Sequence, residues 1–92
     1  MAPYRSIWIT EIVNKESIRE KLGSKYGIEY AELEGHLICN RNLRGFDEDH
    51  PKHGLRTVVR VRMTEGKVIR VVIELIDEIN FSWKIRTALY IK

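Results

Sequence analysis

The sequence has a single cysteine, Cys39, so no disulfide bond can form within the chain. An unbridged thiol is typical of a protein kept in the reducing cytosol. The first residues lack the apolar core of a secretion signal, and no apolar run reaches the about 20 residues that a membrane-spanning helix needs. We therefore expect a cytoplasmic protein that does not associate with a membrane.

Several signatures of enzyme active sites are also missing. The chain has no glycine-rich loop of the kind that binds nucleotide phosphates, and no Ser, His and Asp pattern of a hydrolase. Two histidines and two aspartates do lie close together, but their spacing matches no established metal-binding motif. Asp47, Asp49, His50 and His53 are therefore interpreted as part of a polar turn, and we predict neither a bound metal ion nor a cofactor.

The 92 residues are enough for one domain with one hydrophobic core, and no repeat or linker divides them, so we expect a single domain over 1–92. The formal net charge is only +3, so the placement of the charges carries more information than their total. Acidic and basic residues are mixed between Ala31 and Glu48, whereas the last third of the chain is mainly basic.

The first half of the chain predicts one strand and two helices, followed by a long loop. An Ile, Trp and Ile run favours the strand, and apolar residues at helical spacing favour the helices. The next stretch has no usable periodicity and is rich in Gly, Pro and Asp, which is typical of a loop. The predicted elements are a strand over 6–11, a helix with Asn14 as N-cap that ends at Gly23 or Gly27, a helix over 29–38, and a loop over 39–54.

Three strands are predicted in the last third, over 55–64, 67–76 and 82–92. Side chains alternate between the two faces of a strand, and apolar residues alternate with mainly basic ones along each segment. One sheet face is therefore expected to be apolar and buried, with Leu89 and Ile91 on it, and the other to be basic. The predicted basic face holds Arg56, Arg60, Arg62, Arg70, Lys84, Arg86 and Lys92, together with Ala88, Tyr90 and one carboxylate, Glu74.

The hairpin between the first two of these strands sets their register. A three-residue turn with Gly66 in the left-handed conformation pairs Arg60 with Arg70 and keeps the two faces consistent. The order strand, helix, helix, strand, strand, strand then predicts an α+β two-layer fold. Both helices pack on the apolar face of a mostly antiparallel, four-stranded sheet.

An open sheet face rich in arginine suits a polyanion, and RNA is the first candidate. The alternative is a solvated surface, because Arg and Lys also occur on exposed faces and edges that discourage aggregation. Trp8 should project opposite Ile7 and Ile9. It could stack on a base there, or pack under a loop or a partner.

Short motifs along most of the chain resemble the BrnT toxins, a branch of the RelE/ParE-like superfamily of bacterial toxin–antitoxin systems. Trp8 lies in the first strand, Lys25-Tyr26-Gly27-Ile28 corresponds to a Lys-His-Gly signature, and Ile85-Arg86-Thr87-Ala88 lies near the final Ile-Ser-Ala-Arg type motif. Two positions differ, because Tyr26 stands where that family has His and Leu89 where it has Arg.

The resemblance implies the toxin of a type II system, a metal-independent ribonuclease that a cognate antitoxin protein holds inactive. The ribose 2′-OH would attack the adjacent phosphate, arginines would stabilise the phosphorane, and another group would move the proton. The candidate catalytic residues are Arg60, Arg62, Arg70, Arg86 and Tyr26, with Tyr90 and Lys84 as further proton-transfer candidates, and the candidate RNA-binding residues are Trp8, Lys25, Arg56, Lys84, Tyr90 and Lys92. Because two motif positions differ, a non-catalytic module that binds nucleic acid or an acidic protein is the alternative. A homo- or hetero-oligomer is compatible with both.

Overall fold

The computed structural model describes residues 4–13, 15–52, 54–63 and 65–91, with Lys15 described by its backbone alone. Within those ranges the chain forms two helices and six strands. In chain order they are β1 (Arg5–Ser6), β2 (Glu11–Ile12), α1 (Lys15–Tyr26), α2 (Tyr30–Leu37), β3 (Arg44–His50), β4 (Gly54–Arg62), β5 (Val68–Asp77) and β6 (Ser82–Ile91). Neither helix is long and apolar enough to span a membrane, as far as the described residues extend.

The six strands form one sheet in the order β1-β3-β4-β5-β6-β2. Every neighbouring pair is antiparallel except β2 and β6, which run parallel. The short segment between β1 and β2 connects the two edges of the sheet. The Ile7 N–H donates to the Leu43 carbonyl oxygen at one edge, and the Thr10 N–H donates to that of Phe81 at the other, both at 3.0 Å. Because so short a segment spans both edges, the sheet is strongly curled.

Both helices pack on one side of the sheet, which we call the helix face, and the opposite side is called the open face. Ile18 and Leu22 of α1 and Leu33 and Leu37 of α2 are at most 4% exposed. They form one core with the sheet residues that point toward the helices, namely Val59, Val61, Ile69, Val71, Ile73 and Ile85. Burial of this apolar surface is the main stabilising contribution to the fold.

Helix α1 ends at the second of its two predicted stop signals. Gly27 has a φ of +65°, a left-handed conformation that glycine adopts without steric cost. The Ile28 N–H donates to the Leu22 carbonyl oxygen at 3.0 Å, which is the hydrogen bond of a glycine-terminated helix. Asn14, the predicted N-cap, lies outside the described residues.

The predicted fold class, two helices packed on one face of a mostly antiparallel sheet, is confirmed, but the number of strands is wrong. The predicted strand over 6–11 is divided between β1 and β2, which lie at opposite edges of the sheet. The predicted loop over 39–54 contains β3. This strand lacks an apolar series because its helix-face positions next to Val59 and Thr57 are Gly45 and Asp47.

The tight packing around Gly45 explains why that position carries no side chain. A Cβ atom there would lie 2.6 Å from the Val58 carbonyl oxygen and 2.8 Å from Val59 Cγ1. It would also lie 3.1 Å from Ile7 Cγ1, in the segment that crosses between the sheet edges. Glycine therefore allows the N-terminal segment and β4 to approach β3 closely.

A β-bulge in β6 reverses the predicted faces of its second half. Val72 pairs with Thr87 but Ile73 pairs with Ile85, so Arg86 is the extra residue. A single extra residue moves every later side chain to the other face. Ala88 and Tyr90 therefore lie on the helix face instead of the basic face, and Leu89 and Ile91 lie on the open face instead of the apolar one.

Candidate nucleic-acid interface

The open face gathers cations from three adjacent long strands. Arg56, Arg60 and Arg62 of β4 alternate with residues of the helix face, and Arg70 lies directly opposite Arg60, as predicted. Lys84 pairs with Glu74 on the same side. Arg86 adjoins these residues at the bulge, so the predicted arginines do share one surface.

Strand β3 adds a carboxylate that was not predicted on this face, because β3 lies within the predicted loop. Glu48 pairs directly with Arg56 in the β3–β4 ladder. Its Oε1 accepts a hydrogen bond from Arg56 Nη2 at 3.1 Å, and its Oε2 accepts one from Arg70 Nη2. One carboxylate therefore bridges two arginines on neighbouring strands and offsets part of the repulsion among the cations.

These contacts keep Glu48 ionised. The hydrogen bond from Arg70, and after it the one from Arg56, lowers the pKa of Glu48 below its ordinary value of 4.5. Charge-assisted hydrogen bonds of this kind are stronger than neutral ones. At neutral pH the centre of the open face is thus a fixed negative charge surrounded by arginines.

Glu74 provides a weaker counter-charge near the bulge. Its Oε1 lies 3.3 Å from Arg86 Nη1 and 4.0 Å from Lys84 Nζ. The side chains of Glu74 and Arg86 are about half exposed, at 49% and 48%. Ion pairs this exposed contribute little, about 0–1 kcal/mol, and are readily exchanged for other partners.

Two other arginines have no such counter-charge. Arg60 and Arg62 are exposed, and neither forms an ion pair with any residue that the structure describes. Arg44 is also exposed and forms no ion pair with any described residue. It lies on the same side of β3 as Glu48, at the end of the strand next to Arg60. Arg44 falls within the predicted loop over 39–54 and was therefore not predicted to lie on this face. These three guanidinium groups are available to an external anion.

The floor of the open face is apolar. Val58 and Val72 pair with each other across β4 and β5 and are fully buried, although they lie outside the core on the helix face. Their strand neighbours Arg56 and Arg70 have long aliphatic stems of the kind that cover apolar surface. The Arg56 Nε atom is buried and has no hydrogen-bond partner among the described residues.

A depression of about 390 Å³ lies beside this floor. It is lined by Leu55, Arg56, Glu74, Arg86 and Thr87. It combines two guanidinium groups with apolar and hydroxyl surface, a mixture that suits a phosphate together with its sugar or base.

Several predicted site residues lie away from this surface. Tyr26 is half-buried against the core, and Lys25 Nζ lies 5.5 Å from the centre of its ring. The Tyr90 hydroxyl donates to the Gly27 carbonyl oxygen at 3.3 Å, which ties it to the end of α1. Lys25, Tyr26 and Tyr90 are thus collected near the helix face, apart from the arginines of the open face. Lys92 lies outside the described residues.

Trp8 occupies the segment that crosses between the sheet edges. Its neighbours Ile7 and Ile9 are buried and its own side chain is half-buried, so it projects away from the core as expected. Its carbonyl oxygen accepts a hydrogen bond from the Trp83 indole Nε1 at 2.9 Å. This bond fixes the segment against β6.

Asp47, one of the residues considered as metal ligands, stabilises the sheet edge instead. Asp47 accepts hydrogen bonds from Arg5 at 3.1 Å and from the Thr57 hydroxyl at 2.9 Å, and the Arg5 contact is the main cause that lowers its pKa. No group of three or more His, Cys, Asp or Glu side chains gathers in the part of the chain that is described. His53 lies outside that part.

No protein-family model, curated protein or solved structure gives a significant match to this chain. The interpretation of the open face therefore rests on its own geometry.

The open face combines hydrogen-bond donors for an anion with an ionised carboxylate. The arginines present planar donors that match phosphate oxygens, and Glu48 is an ionised carboxylate among them. Glu48 is only eight residues before Arg56, across the turn that joins β3 to β4. That short separation is the one signal in the sequence that could have located it.

Proposed function

We propose that this protein binds single-stranded RNA on its open face and is the toxin of a type II toxin–antitoxin system, acting as a metal-independent ribonuclease of the BrnT branch. The observation that carries the proposal is a set of exposed arginines that form no ion pair with any described residue, Arg44, Arg60 and Arg62, beside an apolar floor. Sheet faces that combine cations with apolar surface suit single strands, whose bases are free to stack.

Electrostatics favours this reading over a merely solvated surface. Arg60 and Arg70 lie directly opposite each other, an arrangement that weakens strand pairing. Glu48 compensates Arg70, but nothing in the described chain compensates Arg60 or Arg62. A bound polyanion would supply the missing negative charge.

The same face supports a cleavage step that needs no metal ion. When Arg70 turns from Glu48 to the phosphate, the contact that most lowers the pKa of Glu48 is removed. Glu48 would then accept the proton of a ribose 2′-OH as that oxygen forms a bond to the adjacent phosphorus. Arg60 and Arg70 would stabilise the charge on the phosphorane. As the bond to the 5′ oxygen breaks, Lys84 would donate a proton to it, leaving a 2′,3′-cyclic phosphate and a 5′-hydroxyl. With Tyr26 and Tyr90 near the helix face, Lys84 is the remaining predicted proton donor on this side.

An antitoxin partner is supported by apolar residues left exposed around the basic surface. Leu89 and Ile91 are 43% and 40% exposed on the open face itself. Leu55 and Ile79, at one end of the sheet, are 73% and 84% exposed. Exposed apolar residues next to a charged surface are typical of protein interaction sites. A segment with alternating acidic and apolar side chains would match this surface.

Removal of the two uncompensated arginines of β4 tests the binding proposal. We expect Arg60→Ala/Arg62→Ala to reduce the affinity for a fluorescent 12-nucleotide RNA by at least about tenfold. The slope of log K against log salt should fall by about 0.7 for each lost phosphate contact. The matched control is Arg41→Ala/Lys52→Ala, which removes two exposed charges in the turns that flank β3. Equal affinities of the two double variants would overturn the proposal.

Analysis of the products separates the ribonuclease from the binding module. Fragments ending in 2′,3′-cyclic phosphate, formed by the wild type in the presence of a chelator and lost in Glu48→Gln, would support cleavage. Salt-dependent binding that leaves the RNA intact would support the non-catalytic alternative. In a bacterial host, growth arrest by the wild type but not by Arg60→Ala/Arg62→Ala would support the toxin.

A further inference from the structure

We propose that the bound RNA strand crosses the outer edge of β6 at Arg86 and continues into a groove between α1 and β6, where Lys21 and Ser17 bind a backbone phosphate. This inference rests on the proposed binding of single-stranded RNA by the open face. It assigns a second, separate phosphate site to residues of α1.

Two depressions meet at Arg86. The first is the one on the open face, of about 390 Å³, which Arg56, Glu74 and Arg86 border. The second has about 280 Å³ and is lined by Ser17, Ile18, Lys21, Lys84, Ile85 and Arg86. Because Arg86 borders both depressions, they are neighbours at the edge of β6, and a strand bound in the first would need to pass only Arg86 to enter the second.

The outer edge of β6 offers little obstruction to such a path. Strand β2 pairs with β6 only at Ser82 and Trp83. From Lys84 onward, no strand in the described chain pairs with this edge. The bulge at Arg86 also keeps this edge from serving as a regular template for another strand.

The charges of α1 continue the basic surface beyond the edge. Lys21 is exposed and forms no ion pair with any described residue. Lys25 is four residues further and therefore lies on the same side of the helix. Lys84 and Arg86, on the other wall of the groove, share one exposed carboxylate, Glu74. The groove thus has more positive than negative groups, and the Ser17 hydroxyl adds a neutral donor.

Along this path the bound RNA would come close to Lys25. The sequence motif predicts Lys25 as an RNA-binding residue, but α1 lies on the far side of the sheet from the arginines of β4. A strand confined to the open face would not reach α1. One that follows the groove would pass Lys21 and then approach Lys25.

The length of the RNA distinguishes this path from general electrostatic attraction. A four-nucleotide RNA can be held by the open face alone, whereas a 12-nucleotide RNA can also fill the groove. We expect Lys21→Ala/Lys25→Ala to weaken binding of the 12-nucleotide RNA about three- to tenfold, with a smaller salt slope. Its affinity for the four-nucleotide RNA should equal that of the wild type. Both lysines are exposed, and circular dichroism would verify that the variant is folded.

The control variant is again Arg41→Ala/Lys52→Ala, which has the same net charge. Equal weakening of both RNA lengths, or no weakening of the longer one, would overturn the groove path. If Arg60→Ala/Arg62→Ala abolishes binding while Lys21→Ala/Lys25→Ala leaves it unchanged, this inference alone fails. If Arg60→Ala/Arg62→Ala has no effect, the proposed function itself fails.

Discussion

The two faces of β4 and β5 are built from alternate residues of the same segments, yet they are stabilised in different ways. On the helix face Val59, Val61, Ile69, Val71 and Ile73 are at most 4% exposed and belong to one core. On the open face the intervening positions hold four arginines, three valines and one glutamate. Buried apolar area stabilises the fold whatever binds to it, whereas exposed charges contribute little to stability. The helix face therefore accounts for the fold, and the open face remains free for a ligand.

The largest loss of stability should come from a cavity in the core between the helices and the sheet. Leu33 of α2 is fully buried, and we expect Leu33→Ala to lower the free energy of unfolding by about 2–5 kcal/mol. Leu89 carries the same side chain on the open face and is 43% exposed, so Leu89→Ala should cost less than about 1 kcal/mol. Urea unfolding followed by circular dichroism measures both. Similar losses at the two sites would contradict the division of roles between the faces.

The second prediction concerns the close backbone contact between Gly45 of β3 and Val58 of β4. Gly45→Ala would place a Cβ atom 2.6 Å from the Val58 carbonyl oxygen, so β3 must move away from β4. We expect a loss of about 1–3 kcal/mol in urea unfolding. The matched change is Gly35→Ala in α2, where a Cβ atom meets no heavy atom within 4 Å. That variant should be more stable by up to about 1 kcal/mol, since alanine favours a helix. If both variants change the free energy of unfolding in the same direction, the close packing around Gly45 does not stabilise β3 in the sheet.

The smallest effect concerns the carboxylate at the centre of the open face. The Arg70 and Arg56 contacts lower the pKa of Glu48, so the stability they provide is complete above the ordinary value of 4.5 and is lost as the pH falls through the lower folded value. Glu48→Gln should therefore cost about 1 kcal/mol at pH 7, and the difference from the wild type should shrink on acidification below pH 4.5.

Urea unfolding of Glu48→Gln at several pH values checks this linkage. Glu65→Gln serves as the comparison, because the Glu65–Lys67 pair is 77% and 61% exposed and should contribute almost nothing at any pH. A stability difference for Glu48→Gln that stays constant from pH 7 into strong acid would show that the Glu48 charge is unimportant to the fold.

Local patterns in the sequence predicted much of the helical layer and the central hairpin. Gly27 ends α1, and Gly66, with a φ of +84°, forms the turn that sets Arg60 opposite Arg70. Both outcomes depend on residues near each other in the chain. Strand β3 was missed because its helix-face positions, Gly45 and Asp47, carry no apolar signal.

The candidate site was also predicted only in part, because alternation within a strand places some of its residues and not others. Alternation along β4 and β5 placed Arg60, Arg62 and Arg70 on one side, which the strand pairing bears out. Tyr90 was assigned to that side as well, but one extra residue at Arg86 moves it to the helix face. The bulge at Arg86 cannot be recognised from the order of residues within β6. In the same way, the position of Glu48 cannot be recognised from the order of residues within β3.

The sequence by itself determined the α+β class, the apolar and basic sides of β4 and β5 and their register, because each follows from alternation or turn chemistry within a few residues. Only the tertiary structure decided that β3 joins the sheet, that Glu48 bridges Arg56 and Arg70, and that Arg86 lies between two depressions. The Glu48–Arg70 contact and the position of Arg86 depend on how segments distant in the chain pack. Arg5 meets Asp47 and α1 meets β6, contacts that no local pattern encodes.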